Sequence, residues 1–393
     1  MRKTTNNKKF TWTDMSWPVI FTAARLILLI SLPLEAIRSY GDYWNFYHQA
    51  GLGIPFWDYW TEFPPVFPFL AYLVEGFSVG KAHAFDYLLY MLLTIFQAGS
   101  IYLFVLIPQK IRPVSNMNYR GLVYFLFSLV LFYSWSYFDP IAVFFLLLGV
   151  YWLIREKDIP AIAAVSAGIL TKWFPVLILP AIWKIRSPKK ALRLTLLAIG
   201  IVVIVWGLLF ALNPIMTKAS LSSQANKGSW ESIWALVDKN IRTGNFGPEI
   251  DRLNPTTAAI QTGNPPVIPS WITLIVFGGF GLFLLLKVEN QTEDWIISFI
   301  GLSLVILFLW SPGYSPQWIL YLLPFILLSL PEREAYLMAA VLVLINLLEW
   351  PVLLSRGYFW SLYYLIPLRS LIMILLGARF YQQSRVNISL ENR

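Results

Sequence analysis

Carboxylates alternate with indole and phenol rings along Ser39-Tyr40-Gly41-Asp42-Tyr43-Trp44-Asn45-Phe46-Tyr47-His48 and again along Phe56-Trp57-Asp58-Tyr59-Trp60-Thr61-Glu62. Ring faces pack against the C–H edges of a sugar, and a carboxylate among them can accept a hydroxyl proton. The same pattern describes an interfacial aromatic belt with solvated acids, and composition alone leaves both readings open. Phe138-Asp139-Pro140 places an acid at a helix start, where it caps the helix or orients a substrate. Thr171-Lys172-Trp173-Phe174-Pro175 sets a cation in an apolar stretch, either snorkelling to the interface or stabilising developing negative charge. Arg356, in Ser355-Arg356-Gly357, is a second such cation, and Tyr314 and Gln317 offer neutral hydrogen bonds.

The elements that must hold these groups are membrane helices. Of 393 residues, 58% are apolar and 13% charged, and mean hydropathy is +0.62, which excludes an ordinary soluble domain. Separate apolar runs approach the roughly 20 residues that a crossing needs, so the expected fold is all-α, a polytopic transmembrane bundle. The first run lacks a small-residue cleavage site and reads as a retained helix. The net charge of +9 reflects Lys and Arg held on the cytoplasmic side, not a nucleic-acid partner. With no cysteine there is no disulfide and no thiolate metal site.

Counting every apolar run as a crossing puts Lys110, Arg112 and Arg120 outside, against the positive-inside tendency. Treating 64–79 as a short surface helix, and breaking 159–183 at Lys172 and Pro175, moves them inside. About 12 membrane helices result, some short or broken. Their expected ranges are 17–37, 84–107, 119–136, 139–154, 159–171, 173–184, 191–212, 269–286, 295–310, 315–330, 335–351 and 358–378. Both termini are then cytoplasmic. The chain divides into a core module 1–212 with a first outer loop 38–83, a long outer loop or lid 213–268, and C-terminal helices 269–393.

Asp42 past the first helix is followed by a Tyr-rich stretch and Glu62-Phe63-Pro64-Pro65-Val66-Phe67-Pro68. Phe138-Asp139-Pro140, then Gly168-Ile169-Leu170-Thr171-Lys172-Trp173-Phe174-Pro175 with Pro180, and Tyr314-Ser315-Pro316-Gln317-Trp318-Ile319-Leu320 with Pro324 come next, all on one predicted face. In these motifs and their order the chain resembles the polyprenyl-phosphate-mannose-dependent mannosyltransferases of the C-type (GT-C) membrane glycosyltransferase superfamily. The resemblance implies a GT-C-like fold and transfer of a hexose, mannose in that family, from a polyprenyl-phosphate donor to a glycan, lipid or protein acceptor. It places Asp42 at the reaction centre as the base of an inverting displacement, with Asp139 beside it. Lys172 and Arg356 are the expected phosphate-binding cations, and Asp58, Glu62, Tyr314 and Gln317 the expected substrate-binding groups. Oligosaccharyltransferase members of the superfamily use metal, so a divalent cation at Asp42 and Asp139 stays open. With only His48 and His83 and no tight acidic cluster, the expectation is no obligatory cofactor or metal.

A transporter or flippase of lipid-linked sugars is the alternative, as is a glycan polymerase or ligase. A transporter would show matched interrupted helices in two halves and polar groups at the midplane, whereas here they gather at one face. A nucleotide-sugar enzyme of the soluble type needs a parallel sheet, which this pattern does not encode. The predicted outer loops carry no Asn-x-Ser/Thr sequon, pointing to the cytoplasmic membrane of a prokaryote with the working site outside.

Overall fold

The protein is all-helical in the computed structural model, which describes residues 12–109, 116–242, 250–287 and 295–385 and contains no strand among them, only isolated bridges. Lys110, Arg112 and the basic residues of the N-terminal tail, on which the expected orientation leans, lie outside the described residues. Helix α1 (Trp12–Ser31) is followed by the short α2 (Leu34–Arg38) and α3 (Tyr43–Ala50), then α4 (Val66–Ser78), α5 (Ala82–Leu106), α6 (Met117–Val130), α7 (Tyr133–Ser136) and α8 (Asp139–Ile154). Helices α9 (Asp158–Ile169) and α10 (Ile178–Ile185) are separated by the Lys172 break and a 3₁₀ turn, Phe174–Leu177. Helix α11 (Pro188–Leu212) leads into α12 (Pro214–Ala225) and α13 (Ile233–Val237). The remaining elements are α14 (Ser270–Lys287), α15 (Trp295–Trp310), α16 (Ile319–Ser329), α17 (Glu332–Leu347) and α18 (Leu362–Gln383).

Two expected helices divide. The 17–37 run stops at Ser31, because Pro33 disfavours a helical backbone at the residue before it, and restarts as α2. The 119–136 run breaks at Leu131, whose extended backbone (φ −70°, ψ 108°) separates α6 from α7. Among the described residues, five stretches are long and apolar enough to cross a membrane: Ala82–Leu106, Pro188–Leu212, Ser270–Lys287, Glu332–Arg356 and Phe359–Gln383. Shorter apolar helices accompany them, including the 13-residue α4, which at 1.5 Å per residue falls well short of a bilayer's hydrocarbon core.

Helix α8 is apolar on every side and lies at the centre. Ile141, Ala142, Leu146, Leu147 and Val150 are fully buried, with α5 on one side and α9 on the other. Helix α16 is likewise enclosed, by α6, α8, α15 and α17. Helices α11 and α14 instead turn Val203, Leu208, Ile275 and Phe283 outward, as lipid-solvated helices do.

Charges inside such a bundle need partners. Arg38 donates Nε to Asp86 Oδ2 at 2.8 Å, and Arg186 bonds Asp158 at 2.8 Å. Arg369, mid-helix in α18, faces the bundle and pairs with Glu349. Arg25 lies among the rings of Phe21, Tyr90 and Trp135, 4.4 Å from the last, and donates to Ser128 O and Ser134 Oγ. Removing one partner of a buried pair strands the other, so Arg369→Met should cost about 3–5 kcal/mol. Adding Glu349→Leu should recover most of that loss. Thermal unfolding of the purified variants measures both, and an Arg369→Met midpoint equal to wild type would contradict the pairing.

Candidate functional site

Helix α3 begins against α7, and this contact sets the position of Asp42. The Asp42 amide donates to Ser136 O at 3.1 Å, and Tyr43 Oη donates to Trp135 O at 2.6 Å. Gly41 lies so close to Ser136 that a Cβ there would overlap its side chain and carbonyl. Asp42 occupies the N-cap position of α3, yet its side chain makes no capping hydrogen bond. The carboxylate instead lines a cavity of about 340 Å³ that also receives Glu62, Asp139, Lys172 and Gln317. Tyr137, Phe138, Trp173, Phe174, Trp230, Trp310 and Trp318 surround them.

Asp139 opens α8, and its Oδ1 accepts from Lys172 Nζ at 2.6 Å. Its second oxygen is buried with no hydrogen-bond partner among the described residues. Lys172 follows the end of α9, where Thr171 Oγ1 bonds back to Ala167 O at 2.8 Å and the Lys172 amide to Gly168 O at 2.8 Å. The ammonium lies 5.1 Å from the Phe138 ring centre, 5.5 Å from Phe174 and 5.7 Å from Trp318. It is turned inward and does not snorkel.

Asp42 lies between α2 and α3, outside the crossing stretches. Burial pushes its carboxyl up to about 7, with Glu62 and Asp139 adding to the rise and Lys172 and Lys227 opposing it. Lys227 also lines the cavity, and burial holds its ammonium below the ordinary lysine value. Neither Lys227 nor its neighbours Gln224 and Trp230 stand out in the sequence reading. The Lys227-x-x-Trp230 pair repeats the charge-and-ring signal of the first loop, and that signal would have found it.

The other expected site residues are placed differently. Glu62 is 2% exposed and bound bidentately by Arg252, at 2.6 and 3.1 Å, so it forms wall more than open surface. Tyr314 lies outside the cavity lining, under the Arg369 guanidinium at 3.9 Å, with its hydroxyl on Asn346 Oδ1 at 3.0 Å. Asp58 accepts from its own loop, Ile54 N at 2.7 Å, and Arg356 is exposed with its Nη1 on Val352 O; neither lines the cavity. Asp42, Glu62 and Asp139 line one cavity, yet among the described residues no group of three or more His, Asp and Glu is placed to hold a metal ion. Of the cavity's three carboxylates, Asp139 is held by the Lys172 ammonium and Glu62 by the Arg252 guanidinium.

No protein-family model matches the chain, and no curated protein matches it in sequence. Among solved structures, the archaeal oligosaccharyltransferase AglB from Archaeoglobus fulgidus, in complex with an inhibitory peptide and a dolichol-phosphate, is similar over 95% of this chain and 55% of its own, at 14% identity and a TM-score of 0.37. The chain thus spans about half the length of that protein, and no residue is assigned from it.

The raised Asp42 value has a direct check. The difference in carboxyl carbon-13 NMR titration between wild type and Asp42→Asn should show a group with a midpoint near pH 7. A midpoint in the ordinary carboxylate range, about 4, would remove the burial argument.

Proposed function

We propose that this protein is an integral membrane glycosyltransferase of GT-C type, moving a sugar from a polyprenyl-phosphate-linked donor to a glycan, lipid or protein acceptor. The observation that carries the reading is a shared wall. Leu307 and Trp310 line the polar cavity and also a second groove of about 300 Å³, lined almost wholly by apolar residues of α10, α14 and α15. A donor with a long hydrocarbon tail and an anionic head matches that pairing: tail in the groove, phosphate at Lys172 and Lys227, sugar among the rings.

In this reading the acceptor hydroxyl oxygen attacks the anomeric carbon as the bond to the phosphate oxygen breaks. The electron pair leaves with the phosphate, and the hydroxyl proton passes to Asp42. Lys172 and Lys227 stabilise the charge that builds on the leaving oxygen. Asp139 holds Lys172 in place, and inversion follows from a single displacement. No step is routed through a metal. Mannose as the sugar, and a cavity opening on the non-cytoplasmic face of a prokaryotic membrane, rest on the motif resemblance and the charge distribution.

The purified protein supplied with polyprenyl-phosphate-[14C]mannose and membrane glycan acceptors should form a new glycosidic bond, which a transporter would not. Asp42→Asn should lower that rate by about 100-fold or more with unfolding temperature unchanged. Unchanged transfer would sink the assignment. The base acts ionised, so kcat/KM should rise with pH up to about 7 and then level. Lys227→Gln removes a cation that holds the Asp42 value down, and should therefore move this limb to higher pH.

A further inference from the structure

Between Arg252 and Lys287 the chain contains no Asp, Glu, Lys, Arg or His. The later part of that stretch is α14. The earlier part is irregular chain with Leu253, Ile260 and Val267 exposed at 52, 56 and 66%. A water-facing segment of this kind normally keeps charges, and a charge-free stretch that also exposes large apolar side chains marks an interaction surface.

The surroundings identify the partner. At one end, Ile268 and Pro269 run directly into α14, whose Trp271, Leu274 and Ile275 are outward-facing on a membrane-crossing stretch. At the other end, the turn Pro255–Ala259 packs on α12 and forms a shallow groove with Pro214 and Ile215 at the start of α12 and Phe210 near the end of α11, a second such stretch. Lys218, exposed, also lines this groove, as a cation facing lipid headgroups does.

We infer that residues 253–268 rest in the headgroup layer of the leaflet bordering the cavity, so the segment following Arg252 is seated on lipid. Arg252 in turn holds Glu62 in the cavity wall, and the seating thus supports one wall of the site. The inference does not depend on the catalytic reading.

The chain has no cysteine, so each single-cysteine variant carries one label. The full chain is reconstituted in phosphatidylcholine–phosphatidylglycerol vesicles with a nitroxide at Ile260→Cys or Val267→Cys. These labels should collide with oxygen in preference to a water-soluble nickel chelate, at a ratio several-fold above that of exposed Lys239→Cys and below that of Ile275→Cys on α14. A ratio matching Lys239→Cys would overturn the seating. So would a ratio that rises only when membrane protein extract is added, which would assign the surface to a protein partner.

Discussion

The 2.6 Å bond between Lys172 Nζ and Asp139 Oδ1 joins the first residue of α8 to the break between α9 and α10, and the rest of the site is arranged around it. A lysine buried among these apolar side chains without a partner would be costly. Paired with a carboxylate and ringed by Phe138, Phe174 and Trp318, it is tolerated, and the short 3₁₀ turn after it is the shape the chain takes to reach that partner. Burial in the same cavity, with Glu62 and Asp139 nearby, raises the proton affinity of Asp42.

Two loops close over this pair. Glu62 of the first loop is held by Arg252, while Gln224 donates to the Glu62 carbonyl and Ser220 Oγ accepts from the Thr61 amide at 3.0 Å. Farther along, Trp230 O accepts from the Tyr314 amide at 2.9 Å, and Trp230 Nε1 donates to Ser315 Oγ at 3.2 Å. Gly313 has no side chain because the Trp230 ring lies against its Cα. Arg369 adds a bond to Glu231 O and a cation–π contact to Tyr314. The described part of 213–268 is tied to the first loop through Ser220, Gln224 and Arg252 and to Tyr314 and Ser315 through Trp230, and it supplies Lys227 and Trp230 to the cavity.

Residue type and local spacing made much of this legible. The span 139–154 reads as a helix from its unbroken apolar run and Pro140, and α8 occupies those residues. The interruption at Lys172 follows from the cost of a charge plus Pro175, both local facts. The motif resemblance points to Asp42, Asp139, Lys172 and Gln317, and the cavity lining includes all four. Asp58 and Arg356 carry the same signal but bond to their own turns, and nothing in their immediate sequence distinguishes them from the others.

What the chain alone determined was the solvent of each segment, because hydrophobic periodicity and the cost of a charge in hydrocarbon act over one or two helical turns. What only tertiary structure decided was direction and partnership. Glu62 meets Arg252 at a separation of 190 residues, and Tyr314 turns to Arg369 and away from the cavity. Such pairings depend on how distant elements pack, and a hydrogen bond or ion pair between them leaves no trace in the neighbours of either residue.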